Sequence, residues 1–141
     1  MCEKIFSKIK KGTVLHIVHK NKEMKNNRKN ISDDSDFLQV ACLKLENKQT
    51  FKPHKHIECI RETNITQESW VVIKGSVKAI LYDIDDNIIK EVILYPGDCS
   101  ITFLGGHNYE CLEDNTLVYE FKTGPYFGQK KDKVFIGEDN D

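Results

Sequence analysis

The chain has 141 residues, of which 39% are hydrophobic and 30% are charged, and its mean hydropathy is -0.50. This is the composition of one globular domain. No apolar run approaches the about 20 residues that cross a bilayer. The N-terminus also lacks the apolar stretch and cleavage site of a secretory signal. We therefore expect a cytoplasmic protein with no membrane partner.

The net charge of -1 hides an asymmetry along the chain. Residues 1–30 carry nine Lys or Arg against two acids, which gives +7, whereas residues 31–141 carry twelve against twenty, which gives -8. A basic arm is found in proteins that bind nucleic acid or membranes. Because no aromatic residue lies between Lys20 and Asn30, we interpret the arm as a solvated loop and expect no nucleic-acid partner.

Five cysteines are present, at positions 2, 42, 59, 99 and 111. Their number is odd and no two of them form a CxxC pair, so a disulfide scaffold is not expected. Cys42, Cys99 and Cys111 lie among apolar residues, and we predict that they are small buried hydrophobes.

The predicted elements are short strands. The first 13 residues are compatible with a helix or a strand, Val14–Val18 predicts a strand, and residues 20–36 predict a polar loop. From residue 37 on, runs rich in β-branched and aromatic residues alternate with turn signals. These runs lie at 37–45, 50–60, 68–74, 76–82, 88–94, 99–103, 107–112 and 116–122. The gaps are too short for crossover helices of about 10 residues, so the pattern predicts an all-β sandwich or barrel.

We divide the chain into three parts. Residues 1–36 form an N-terminal strand and a mobile basic loop, and residues 37–125 form the β-barrel. Residues 126–141 form a tail that packs on the barrel or on a second subunit. This tail begins after the rigid turn Gly124-Pro125.

The sequence His54-Lys55-His56 is the clearest chemical feature. On a strand, alternate side chains share a face, and the two Cα atoms would lie about 6.5–7 Å apart. Two imidazoles at that spacing can converge on one cation such as Zn, Fe, Cu or Ni. The alternative is a pair of surface histidines on a half-exposed strand.

Further motifs follow the HxH pair. Glu68 is followed by six residues and then Gly75, and Pro96-Gly97-Asp98 is followed by a strand and then His107. Over residues 40 to 125 the chain resembles the cupin superfamily, whose two motifs have this order. The resemblance implies a double-stranded β-helix, also called a jelly roll, with both motifs facing the barrel interior. It also implies a homodimer.

In metal-binding cupins the two motifs hold one divalent metal ion. Carried onto this chain, the ligands are His54, His56, Glu68 and His107, and the ion is Fe, Mn, Ni, Co or Zn. The chain departs from the family in having eleven residues between His56 and Glu68. Glu58 and Glu62 therefore remain alternatives to Glu68 as the acidic ligand.

Other polar residues are candidates for the cavity wall. Tyr109 shares strand alternation with His107 and would orient a substrate, while Glu68 would act as a base. For Trp70 and Cys111 we favour core packing. Glu120 and Lys122 share one strand face; by default they point to solvent, and alternatively they point inward as a sugar- or carboxylate-binding pair.

Three functions remain open. The first is a metal-binding cupin that acts on or binds a small oxygenated metabolite, such as a sugar derivative or a keto acid, by isomerase, lyase or dioxygenase chemistry. The second is a metal-free sugar-nucleotide isomerase or epimerase in which the histidines are acids and bases. The third is a non-catalytic module that binds a small ligand. The resemblance links such chains to carbohydrate metabolism.

Overall fold

The computed structural model describes residues 2–25 and 27–137. Their regular structure is almost all β. The strands are β1 (Cys2–Phe6), β2 (Val14–His19), β3 (Arg28–Asn30), β4 (Ala41–Leu43), β5 (Glu68–Lys74), β6 (Val77–Tyr82), β7 (Ile88–Leu94), β8 (Cys99–Thr102), β9 (His107–Cys111) and β10 (Leu117–Lys122). The helices are a 3-10 turn, Asn21–Glu23, and one short helix, α1 (Gln129–Asp132). No helix in these ranges is long and apolar enough to span a bilayer.

The strands form two main antiparallel sheets and a separate hairpin. The large sheet has the order β1-β2-β8-β5-β10, the small sheet has the order β7-β6-β9, and β3 pairs with β4. The predicted all-β class is therefore confirmed. The sheets do not close on each other: β10 ends one sheet and β9 ends the other, so a closed barrel is not what the described residues form.

Two hydrophobic cores cover the two faces of the large sheet. The main core lies between the sheets and joins Val18 and Val72 to Ala79 and Leu81 of the small sheet. The second core lies on the outer face, where Ile17 and Ile101 pack with residues of the 31–42 segment. Alternation along each strand explains this division, because successive side chains point to opposite faces.

The predicted turn at Pro96-Gly97-Asp98 connects β7 to β8. Gly97 has a φ of 87°, a conformation that favours glycine. The buried carboxylate of Asp98 accepts hydrogen bonds from the backbone N–H of Tyr95 at 3.0 Å and of Asn21 at 2.8 Å, and Lys20 Nζ lies 3.0 Å from it. This acid therefore ties the turn to the residues that follow β2.

The strand predicted at residues 50–60 is absent. From residue 44 to residue 64 the chain has no regular structure and every residue is exposed. No apolar face of this segment is buried, so burial does not compensate for the entropy of ordering a strand. Pro53 also lacks the N–H that a sheet interior requires. The strand predicted at 37–45 is likewise reduced to β4.

The cysteine prediction is correct only in part. All five thiols are free. Cys99 is buried, and burial, together with smaller contributions from neighbouring groups, raises the pKa of its thiol to about 12. Cys42 is half-buried and Cys111 is exposed, because Cys111 ends β9 where the open small sheet gives it no cover.

Candidate functional site

Polar side chains replace the core at one end of the space between the sheets. The register of the large sheet sets His16 opposite Thr102, Thr102 opposite Glu68, and Glu68 opposite Lys122. Directly opposite residues on neighbouring strands share a face. One polar row therefore crosses β2, β8, β5 and β10 on the face that carries the main core.

Glu68 is the centre of this row. Its carboxylate oxygen Oε1 accepts a hydrogen bond from Trp70 Nε1 at 2.9 Å and lies 3.1 Å from His107 Nε2 on the small sheet. The Glu68 side chain is only 8% exposed. Burial by itself would raise the pKa of Glu68, but the His107 and Trp70 hydrogen bonds, the charge that His107 carries when it is protonated, and the charge of Lys133 lower it below its ordinary value. The carboxylate is therefore ionised at neutral pH.

The ionised carboxylate determines which nitrogen of His107 carries the hydrogen. Because the Glu68 oxygen can only accept, Nε2 is the donor of their hydrogen bond. In the neutral ring Nδ1 is then an acceptor. Nδ1 of His107 is buried and has no hydrogen-bond partner among the described residues. The pair thus resembles the carboxylate–imidazole arrangement in which the acid orients the ring and the other nitrogen exchanges a proton.

Trp70 and Tyr109 form the wall beside this pair. Their rings stack at a centroid distance of 3.9 Å and an interplanar angle of 7°. The Tyr109 hydroxyl is 2.7 Å from Ser100 Oγ, and burial raises the pKa of Tyr109 above its ordinary value. Trp70 is half-buried and lies in neither hydrophobic core, so the predicted core packing is met only by its stacking on Tyr109, and it also donates a hydrogen bond to Glu68. Tyr109 lies next to His107, with ring centroids 5.5 Å apart, and its hydroxyl is already used within the protein.

His16 closes the row at β2. Its Nδ1 lies 3.0 Å from Thr102 Oγ1 and its Nε2 lies 2.9 Å from the Tyr82 carbonyl oxygen. The side chain is fully buried, and burial lowers its pKa to about 4. Because of this lowered pKa the ring is neutral at pH 7. Nε2 must donate to the carbonyl oxygen, so Nδ1 accepts from the threonine hydroxyl. His16 has no free nitrogen and supports the site.

Glu120 and Lys122 lie on the sheet face that carries the main core, contrary to the default interpretation, although the Glu120 side chain is still 43% exposed. They share their face with Val118, which packs against the main core, and the register puts them opposite Trp70 and Glu68. The apolar alternate residues Leu117, Tyr119 and Phe121 are exposed instead. The alternative prediction of an inward charged pair therefore fits Lys122, which is 26% exposed, but not Glu120, which lies in the same row and is exposed.

The structure does not bring the predicted HxH pair to Glu68 and His107. His54 and His56 lie in the exposed irregular segment, with their ring centroids 5.4 Å apart. The predicted common strand face is wrong, because the strand is absent. Glu58 and Glu62 are exposed in the same segment, so among the three candidate acids it is Glu68 that pairs with His107.

A metal does not fit these residues as they lie. Within the described ranges, no three His, Cys, Asp or Glu side chains are grouped so that they could hold an ion. Glu68 and His107 satisfy each other through a direct hydrogen bond. Two ligands that bind each other and two that lie in an exposed segment do not make the four-ligand centre that the resemblance implies.

Sequence reasoning missed three members of the site, namely His16, Ser100 and Thr102. A histidine within the apolar run Val14–Val18 is a usable signal, since a buried histidine needs two hydrogen-bond partners. The serine and threonine gave no signal, because their roles depend on the register between β2, β8 and β5. No protein-family model, curated protein or solved structure matches the chain.

Proposed function

We propose that the protein binds a small oxygenated metabolite, such as a sugar derivative or a keto acid, beside the Glu68–His107 pair and moves a proton on it. The observation that carries this proposal is the ionised, buried Glu68 hydrogen-bonded to a histidine whose other ring nitrogen has no hydrogen-bond partner within residues 2–25 and 27–137. Such a nitrogen is suited to act as a general base.

The chemistry that follows is a proton shift next to a carbonyl group. His107 Nδ1 takes the proton from the carbon, the C–H bond breaks, and its electron pair moves toward the carbonyl oxygen. Glu68 stabilises the imidazolium that forms. In a substrate with a hydroxyl on that carbon, the ring then returns the proton to the former carbonyl carbon, while the hydroxyl proton passes to the former carbonyl oxygen, which gives an isomerisation. Return of the proton to the original carbon regenerates the substrate. No oxidant or reductant is consumed.

The arrangement of the two sheets is also part of the proposal. We propose a cupin-like jelly roll, because strands β5 to β10 distribute between two facing antiparallel sheets with β5, β8 and β10 in one and β6, β7 and β9 in the other. A site between the sheets is where a jelly roll holds a small ligand.

The mononuclear metal centre is the second proposal. It is supported by the order of the motifs and by the contact of Glu68 with His107, two of the four ligands that the resemblance implies. That arrangement requires residues 50–60 to move, and we derive no catalytic step from it.

One experiment separates these proposals. Protein made without a His-tag is analysed for metals and then incubated in D2O with a panel of sugar derivatives and keto acids, and deuterium uptake at carbon is followed by NMR. The acid–base proposal expects exchange with one compound class, about 100-fold slower in His107→Gln and unchanged in a His54→Gln, His56→Gln double variant.

The other outcomes have distinct meanings. A metal bound at one per chain and lost in the double variant supports the metal centre instead. Binding of a panel compound without exchange supports the non-catalytic module. Exchange that persists in His107→Gln contradicts the assignment of the base.

A further inference from the structure

The C-terminal segment places one carboxylate beside the candidate site. Within residues 124–137, all of which are described, only Gly128 and Asp132 are not exposed. The Asp132 side chain is 10% exposed, whereas Val134 and Phe127 are 73% and 71% exposed. Asp132 is thus better covered than Val134 and Phe127 of the same segment, which reverses the usual preference, whereas Phe135 and Ile136 are 47% and 37% exposed.

Asp132 is held by groups that bind anions. Thr66 Oγ1 donates a hydrogen bond to Asp132 Oδ1 at 2.7 Å, and Lys122 Nζ lies 3.9 Å from Oδ2. Lys133 Nζ also lies 3.9 Å from Oδ2. We call Thr66 and Lys122 the anion seat, because a hydroxyl and an ammonium are the donors that carboxylates and phosphates take in proteins.

The anion seat adjoins the Glu68–His107 pair. Lys122 is the direct cross-strand partner of Glu68, and its ammonium also faces Glu120 at 3.6 Å and the Tyr126 ring at 4.6 Å. Thr66 lies two residues before Glu68, just ahead of the start of β5. A cleft of about 320 Å³ opens on the Thr66 side of the seat and is lined in part by Thr66, Thr123, Lys131 and Asp132, while Lys122 and the Glu68–His107 pair lie outside its lining.

We propose that the substrate carries a carboxylate or phosphate group that binds in the anion seat, and that Asp132 occupies this seat while the site is empty. This inference rests on the proposed function only in that the bound anion is taken to be part of the substrate. Binding of an anion in the seat does not depend on proton transfer. If Asp132 fills the seat nine-tenths of the time, the apparent affinity for an external anion is lowered about tenfold.

The test uses inorganic phosphate and acetate as separate probes, titrated into the full chain at constant ionic strength and followed by calorimetry. Asp132→Asn is expected to bind at least one probe about tenfold more tightly than the parent. Asp114→Asn, which removes an exposed acid in another turn, is the matched control and leaves the affinity unchanged. The probe that gains identifies the anion as a carboxylate or a phosphate.

Three further variants are made on the Asp132→Asn background. Lys122→Met is expected to abolish the gain, and Lys122→Arg is expected to keep it, which also shows that changes at this position leave the protein folded. His107→Gln on the same background keeps the anion affinity, so the seat is tested independently of proton transfer. Unchanged affinity of Asp132→Asn for both probes, or a gain that survives Lys122→Met, overturns the inference.

Discussion

Replacing Glu68 by Gln tests the centre of the site, because the change keeps the shape of the side chain and removes its charge. Glu68 accepts from Trp70 at 2.9 Å and from His107 at 3.1 Å, and its side chain is 8% exposed. Hydrogen bonds to a charged group contribute about 1.5–3 kcal/mol each, against about 1 kcal/mol for neutral ones. Because His107 is 25% exposed, we expect the lower end, a loss of about 1–2 kcal/mol.

The stability difference between the parent and Glu68→Gln should depend on pH in a defined direction. The pKa of Glu68 is lowered in the folded protein, so its contribution is fully present above the unfolded value of about 4.3 and is lost as the pH falls through the folded value. Glu68→Gln has no such titration. The stability difference between parent and variant is therefore constant from pH 7 to about pH 5 and shrinks below about pH 4.3.

Urea unfolding at a series of pH values measures this difference, which corresponds to about 3–6 °C in the unfolding temperature. Glu110→Gln is the control, because Glu110 pairs with Lys78 at 2.5 Å on the surface and is 54% exposed. It is expected to change the free energy of unfolding by less than about 1 kcal/mol. A Glu68→Gln variant as stable as the parent at pH 7, or a difference that persists unchanged to pH 3, would refute the ionised hydrogen-bonded carboxylate.

Two further predictions concern His16 and β10. Since burial lowers the pKa of His16 from 6.5 to about 4, the parent should lose up to roughly 3 kcal/mol of stability as the pH falls from 6.5 to 4; His16→Gln should show a flatter profile in urea unfolding over that window, and parallel profiles would contradict a neutral buried ring. The resemblance predicts a homodimer, and variants in β10 can test it. This edge strand carries two exposed aromatic side chains, Tyr119 at 58% and Phe121 at 53%. Sedimentation should give twice the 16.3 kDa chain mass, and Tyr119→Ser with Phe121→Ser should give monomers; a parent that sediments as a monomer would remove the dimer.

Local patterns predicted most strands well. The sequence pattern placed Glu68–Lys74 and Ile88–Leu94 at their observed bounds, because these runs are apolar, β-branched and ended by turn residues whose effect is local. Residues 50–60 have a similar pattern but form no strand. Whether such a run is ordered depends on a partner edge, which is a property of the whole fold.

The site also contains residues that the sequence predicted and residues whose position depends on the whole fold. The motif spacing selected Glu68 and His107, which do meet at 3.1 Å. It could not show that His54 and His56 would stay away, since the segment that carries them gains no burial. Nor could it show that Lys122 faces inward, because an alternating strand has two possible faces and the register with β5 decides between them.

The two cores of the large sheet have a consequence for how the protein opens. The second core depends on the 31–42 segment, in which the Ile31 N–H donates a hydrogen bond to the Val40 carbonyl oxygen. The main core depends on the small sheet. Since the two cores share only the large sheet between them, the 31–42 segment can detach while β5 and β9, which carry Glu68 and His107, keep their places in their own sheets. Amide protons of the hairpin would then exchange with solvent by a partial opening, without global unfolding.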